Sequence, residues 1–451
     1  MTTKKQIVII GAGPAGLLLA HYLLTRCSHY QVTLYDRRSD PRTIEVSKRA
    51  FVIGISQRGR QALQKIDGLW AAVREKGVAM RKTAVYSPKK AQWQYFQRSE
   101  DPDYFNLLIS RDYLCIALLE ELEKRAKGNL NLIFNATCNQ IDLKQHQVKL
   151  TIGGEDIVEH SYDLLVGADG VHSVVRNALM KQPRFDFQQR YFDTVWKVMH
   201  VPRPVEMPAN SSHFFRQLYP NNGFKTAPGR LSVAAIPEIN DKLCILMFWN
   251  VEPEINIGNP PGINTAADLQ KMVSETWLPE LGIKISEEQA QEYLHQRPSS
   301  IVETKCNRYH DLPGKAVLVG DAAHAMSSYL GQGCQAAFGD VMALDKLLQE
   351  EADNLSVVLP KYSEQQVKEG HAITDLNTQL IPRSQRLLFL LNMVMGIQGK
   401  LSKVFPQFSN RSYSYLLSQT TLPYSKIAER FKPWMGLIQW SNEKIRTSTK
   451  V

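Results

Sequence analysis

"IVIIGAGPAGLLLAHYLLTRCSHYQVTLYDRR", residues 7–38, is the stretch whose reading decides the fold. Gln6 to Ile10 is a short run rich in Val and Ile, the pattern of a strand buried on both faces. Gly11, Gly13 and Gly16 follow at the spacing of a dinucleotide-binding turn. The first permits the tight turn, the second lets backbone approach a pyrophosphate, and the third lets a helix pack closely on the strand. That helix, predicted from about Pro14 to Thr25 with Ala15 in its first turn, points its leading amides and its dipole at phosphate. Gln31 to Tyr35 reads as a second strand. Asp36, about twenty residues beyond Gly16, stands where the fingerprint wants an acceptor for a ribose hydroxyl, and Arg37 beside it joins the same cofactor-binding set. The stretch predicts a bound ADP moiety without saying which dinucleotide carries it.

Length and composition bound the rest. A chain of 451 residues suggests two or three domains with substantial cores. Its 43% hydrophobic and 22% charged content is that of a soluble globular protein. The longest strongly apolar stretch, Leu387 to Ile397, is far below the ~20 residues a transmembrane span requires. MTTKKQ runs directly into the first strand, so no secretory leader is expected. Six cysteines without CxxC spacing argue against a zinc site and a disulfide framework, and fit a reducing, cytoplasmic setting. The net charge of +10 favours anionic partners. No nucleic-acid module is visible, so phosphate-bearing cofactors or a carboxylate substrate are the partners it suggests, unless the charge serves only solubility.

Farther along, "LLISRDYLCIALLEELEKRA" has helical spacing after Arg111, and "RLSVAAIPEINDKLCILMFWNVE" reads as two strands joined at Asn240-Asp241. From about residue 335 the chain turns helical. Two strand-turn-helix patterns stand out. "YDLLVGADGVHSVVR" (162–176) delivers Asp169-Gly170 into a turn. "KAVLVGDAAHAMSSYLGQGCQAAFGDVMALDKLL" (315–348) ends a strand at Gly320-Asp321 and feeds a glycine-rich loop, Leu330–Gly333, into a long helix. Asp321 is placed for a hydroxyl on a ribityl chain. Gly331, Gly333 and the helix start can approach a flavin ring and stabilise negative charge there.

The set GxGxxG, "GADG" and "GDAAHA…GQG" resembles the single-component FAD aromatic hydroxylases of the para-hydroxybenzoate hydroxylase class. Within that class the chain is similar to the kynurenine 3-monooxygenases, through "SQRGRQAL" (56–63), "GVAMR" (77–81), "LMKQPRFDFQQRY" (179–191), "VETKCNRYH" (302–310) and "FPQF…YSYLLSQTTLPY" (405–424). The resemblance implies an α/β fold: a Rossmann-like FAD-binding domain from residues 1–75, 105–180 and 300–350, an inserted β-sheet substrate domain from 76–104 and 181–299, and a C-terminal helical region, 351–451. It implies FAD on Gly11, Gly13, Gly16 and Asp36, with Arg111 reaching the cofactor from a helix start. Asp169 is tied to both FAD and NADPH, and Gly320, Asp321, Leu330, Gly331 and Gly333 hold the flavin end. The implied chemistry is reduction by NADPH, reaction with O2 to a flavin hydroperoxide, and hydroxylation of a small aromatic substrate. A catalytic acid–base constellation is not expected, and His324 reads as structural.

Arg81 matches the arginine that grips a substrate carboxylate in that family; such a pair is well served by a bidentate guanidinium. Departures begin here. The family's partner tyrosine falls on Phe105, with Tyr104 beside it, and phenylalanine cannot donate to a carboxylate. The family's substrate asparagine should fall near Leu387 to Phe389, where none stands; Asn392 would need a register shift. Tyr413 or Tyr415 could supply the tail tyrosine, and Tyr329 joins the candidate substrate residues. Ser328 and Gln335 stand where the class usually shows proline and asparagine. Losing two buried hydrogen bonds to a charged group could cost on the order of a hundredfold in affinity. Either kynurenine binds differently or the substrate has another head group. A same-fold flavin reductase without hydroxylation and a non-catalytic binder of FAD and an aromatic ligand stay open as alternatives. "IAERFKPWMGLIQWSNEKIR" reads as a helix packed on the catalytic part, with peripheral membrane contact through Trp434 and Trp440 as the rival reading.

Overall fold

Five short apolar segments, far apart in the chain, pair side by side: Ala316–Leu318, Leu164–Gly167, Lys5–Ile10, Tyr30–Tyr35 and Leu130–Ile133, in that spatial order and all parallel. Val8, Ile9, Val32, Leu34, Leu165, Val166 and Val317 are fully buried, as the continuous apolar runs of a sheet covered on both faces require. Helix Pro14–Arg26 packs against helices Arg111–Arg125 and Gly333–Glu350. The computed structural model describes residues 4–26, 29–43, 49–87, 90–97, 105–126, 128–219, 229–251, 258–380 and 413–448, together with 382, 384, 387, 389–390, 393–394 and 397.

A second sheet of seven strands runs Ser299–Cys306, Phe187–Pro202, Lys242–Asn250, Gly229–Pro237, Ser211–Tyr219, Lys82–Ser87, Gln92–Gln97. It is antiparallel except where Ser211–Tyr219 meets Lys82–Ser87. The hairpin at Asn240-Asp241 is present, and both residues have positive φ, 58° and 50°, as a tight two-residue turn demands. One face buries Trp249, Leu243 and Met247 against Trp277, Leu269 and Tyr293 of the helical segment 266–295. The strand Ser299–Cys306 carries this sheet past residue 299 and returns the chain to the parallel sheet. A small sheet of Val52–Ile55, Asn106–Ser110 and Val78–Met80 lies between the two, and its Met80 and Leu108 share a core with Val198, Cys244 and Leu246.

The helical part begins at Gly333 and continues through Leu355–Gln379, Tyr413–Gln419 and Tyr424–Ser448. Ile373, Leu376, Leu416, Leu417, Ile427 and Met435 form its core, joined by Leu330 and Tyr413. No helix among the described residues is long and apolar enough to cross a membrane.

Candidate functional site

The three glycines of the first turn do different work. Gly11 has φ +110°, and a Cβ there would lie 2.3 Å from the Ala168 carbonyl oxygen, so glycine lets the first turn touch the second motif. A Cβ on Gly16 would lie 2.1 Å from the Gly11 oxygen. Gly13 is the exception: an added Cβ would meet only Arg111 Nη2, at 3.8 Å. Asp36 is buried and engaged on both oxygens. Ala12 N–H donates to Oδ2 at 2.8 Å, and Arg38 donates from its backbone and guanidinium at 2.8–3.1 Å. Burial would raise its pKa, but these donors hold it below the usual carboxylate range. Arg37 is exposed.

The second motif caps a helix. Asp169 Oδ2 accepts from the amides of Val174 (2.7 Å) and Val175 (3.3 Å), and Ser173 Oγ accepts from Arg176 N–H at 2.9 Å. The other Asp169 oxygen is buried without a partner, and burial raises the carboxyl pKa. Arg176, singled out in sequence only by its place in the motif, is 3% exposed. It donates to the carbonyls of Ala322 (3.1 Å) and Val171 (2.6 Å) and stacks over Phe187, tying the second motif to the third.

In the third motif Gly320 has φ +62°, and a Cβ there would sit 3.0 Å from Ala337 and 3.5 Å from Ala15, so helix Pro14–Arg26 and helix Gly333–Glu350 close on this turn. Asp340 Oδ2 accepts from Gly320 N–H (2.8 Å) and pairs with His324 Nε2 (2.7 Å). Burial would lower the His324 pKa, but the Asp340 carboxylate prevails and raises it. Helix Leu355–Gln379 presses on the ring, since a Cβ on Gly370 would approach His324 Cδ2 to 2.9 Å. His324 is thus a buried brace, as its sequence context suggests. Asp321 is reached by solvent but hemmed in by protein; desolvation raises its pKa against the pull of His324 and Arg111. Gly333 faces it, with an added Cβ 4.0 Å from Asp321 Oδ1. Gly331 has φ +62° and open space beside it. Leu330 N–H donates to Asn377 Oδ1 at 3.2 Å, and Tyr329 is 52% exposed. Gln335 is buried and donates to the Gly54 carbonyl. Gln332 Oε1 accepts from Tyr424 O–H at 3.1 Å, which fastens the last helix to this loop.

Arg81 lies beside Phe105, its guanidinium carbon 5.9 Å from the ring centre. Two further arginines and a tryptophan that the sequence reading missed share that ring: Arg74 at 5.4 Å, Arg60 at 5.9 Å, and Trp70 stacked at 6.3 Å. Helical spacing in "SQRGRQAL" gave no sign of which face would meet Phe105. Tyr413 instead packs edge-on to Phe431 in the helical core, with centroids 6.2 Å apart. Phe389 is exposed; Asn392 and Tyr104 lie outside the described residues. In the last helix Trp434 is partly buried in the helical core, while Trp440 is 54% exposed with Lys444 over its ring. No metal-binding cluster of His, Cys, Asp or Glu occurs among the described residues.

Residues 4–375 match the family model described as an FAD binding domain. The chain belongs to this family of FAD-dependent aromatic hydroxylases. Kynurenine 3-monooxygenase of Drosophila willistoni is 28% identical over 449 residues, which cover 97% of this chain and 92% of the relative. The tetrameric form of 2-methyl-3-hydroxypyridine-5-carboxylic acid oxygenase shares the fold, with TM-score 0.61, 19% identity, and 84% and 90% of the two chains covered. So does Pseudomonas aeruginosa PqsL in complex with 2-aminobenzoylacetate, with TM-score 0.59, 19% identity, and 84% and 96% covered.

The residues of this chain fit FAD. Gly13 leaves a gap the protein does not fill, and beside it the first-turn amides of Ala15 and Gly16 have no acceptor within their helix. Arg111 opens helix Arg111–Arg125 at the edge of that gap, and its charge acts on Asp321 as well. The chain therefore brings an open position at Gly13, the Arg111 cation and the exposed Asp321 carboxylate near one another.

Proposed function

We propose that this protein is an NADPH- and O2-dependent monooxygenase that hydroxylates a small aromatic acid. The observation that carries the reading is the proximity of Arg111 to both Gly13 and Asp321, which brings three separate motifs together. Bound FAD supplies the redox chemistry that activates O2. The chain's own residues bind and orient: the amides after Gly13 and the Arg111 guanidinium take the diphosphate, Asp321 accepts a ribityl hydroxyl, and the Leu330–Gly333 backbone supports the flavin ring. Asp36 keeps the glycine turn in shape through Ala12, leaving its oxygens little capacity for a ribose. Arg81 grips the substrate's acid group, and Tyr329 shields the ring side from water. Two departures support a retuned pocket, Phe105 in place of a hydroxyl donor and Gln335 spent on Gly54. The ligand named for the PqsL structure, an aminobenzoyl ring on a short acid, is the kind of molecule this reading favours. The buried thiols of Cys115, Cys138, Cys244 and Cys306 suit a cytoplasmic setting.

The test is NADPH oxidation by the purified yellow protein with L-kynurenine and with a panel of aminobenzoyl and indole acids, with mass spectrometry of the products. A substrate-dependent rate and a product heavier by one oxygen are expected. Flavin reduction that never yields an oxygenated product with any of them would sink the hydroxylase reading in favour of a reductase.

A further inference from the structure

We propose that Asp340, inside helix Gly333–Glu350, is a positioning residue for the flavin: it fixes how far the Asp321 carboxylate stands from the loop that the same helix carries at its start. The inference rests on the reading that Asp321 and the Leu330–Gly333 loop hold the flavin end of FAD, and adds the residue that sets their spacing. Gly333, Ala337 and Asp340 recur at helical intervals and so share one face of that helix. All three meet the Gly320–Asp321 turn. An added Cβ on Gly333 would lie 4.0 Å from Asp321 Oδ1, and one on Gly320 would lie 3.0 Å from Ala337 Cβ. Asp340 Oδ2 accepts from Gly320 N–H at 2.8 Å. The turn is also tied back on itself. Gly320 holds φ +62° and ψ −141°, a backbone that residues with side chains rarely adopt. Its carbonyl accepts from the amides of Ala323 (2.8 Å) and His324 (3.0 Å), and the His324 ring donates to the same Asp340 oxygen at 2.7 Å. Asp340 and His324 are each 1% exposed, so neither has water as an alternative partner. Asp321, between the two tied residues, is left facing solvent.

The same pair acts on the charge of Asp321. Its carboxyl responds to His324, Arg111 and Asp340, with the Cys334 thiol within reach of its charge. The His324 ring in turn faces Asp340, Asp321, Tyr309 and His371. Burial raises the Asp321 pKa. The carboxylate, and the cofactor affinity that depends on it, should therefore be present at neutral pH and lost on acidification, above the usual carboxylate range. Without the Asp340 charge, burial would lower the His324 pKa and discharge the ring. Asp321 would then lose the stronger of its two cationic neighbours, and that loss of affinity would come at higher pH.

The experiment is calorimetric titration of the apoprotein with FAD and with ADP, over a range of pH, for the parent, Asp340→Asn and His324→Gln. Asp340→Asn keeps an oxygen for Gly320 and removes the charge. It should weaken FAD by roughly tenfold or more at neutral pH, while ADP, which needs only the Gly13 end, binds as it does to the parent. In both variants the acid loss of FAD affinity should move to higher pH. If Asp340→Asn yields no folded apoprotein, His324→Gln carries both comparisons. Parent-like FAD affinity in the variants, equal weakening of FAD and ADP, or an acid loss that stays in place would overturn the positioning role. Asp321→Ala separates this from the broader reading. If it binds FAD as the parent does, the placement of the flavin end fails and the inference with it. If it loses FAD while the Asp340 and His324 variants behave as the parent, only the inference fails.

Discussion

Gly13 differs from its two neighbours in what a methyl group would strike there, and that difference can be measured. Gly11→Ala and Gly16→Ala drive a Cβ into backbone and should destabilise the apoprotein itself. Gly13→Ala meets nothing in the protein closer than 3.8 Å, so its apoprotein should melt with the parent's while FAD affinity falls by roughly tenfold or more. Flavin content and apoprotein melting temperature, read side by side, check both halves. Asp169 gives a second contrast. Asp169→Ala strips the amides of Val174 and Val175 of their cap and should cost about 1–2 kcal/mol in thermal unfolding; Asp169→Asn, which still accepts, should recover most of it. The glycines were legible because a tight turn acts over a few positions of chain; Asp169 was read only for the cofactor, and its capping role appears in the fold. Arg60, Arg74 and Trp70 were not legible, since only tertiary folding turns their helix faces onto Phe105.

At the scale of elements, the strand-turn-helix units around Gly11, Asp169 and Asp321 all appear where apolar runs and punctuation place them, and the Asn240-Asp241 hairpin appears with the backbone its residues favour. The attachments between elements were hidden. Gln335 looked like a departure from the class pattern; in the fold its amide ties helix Gly333–Glu350 to strand Val52–Ile55 across 281 positions of chain. Glycine at position 59 leaves room for that side chain, as a Cβ there would come 2.2 Å from Gln335 Oε1. The same holds for the last helix, whose Tyr424 is buried against Gln332 and under the Arg58 guanidinium at 4.3 Å. Tyr424→Phe leaves the Gln332 oxygen unpaired and should lower stability by about 1–2 kcal/mol. It should also speed FAD release, because Gln332 sits in the loop proposed to support the flavin; stopped-flow release of the cofactor tests this.

For the whole molecule, two buried histidines make a definite contribution to acid stability. His21 and His213 have no exposure, and burial lowers each pKa to about 4. In the unfolded chain they take up protons near pH 6.5, so between pH 6.5 and 4 the unfolded state binds more protons and stability falls as pH falls. At pH 5 each should subtract about 2 kcal/mol relative to pH 7. Denaturant midpoints at the two pH values, for the parent and for His213→Gln, test this: the pH 7-to-5 loss of stability should be smaller in the variant by about 2 kcal/mol, the part His213 contributes. The parallel sheet has a different consequence, for the ribosome. Its strand Leu164–Gly167 has only one neighbour until Ala316–Leu318 is made, about 150 residues later, or roughly 7–30 s of synthesis. Throughout that interval the nascent chain carries a wholly apolar strand edge with nothing beside it, a surface that invites pairing with other chains. Yield in cells should therefore depend on translation speed and on chaperones that cover that edge, more than on the stability of the finished fold.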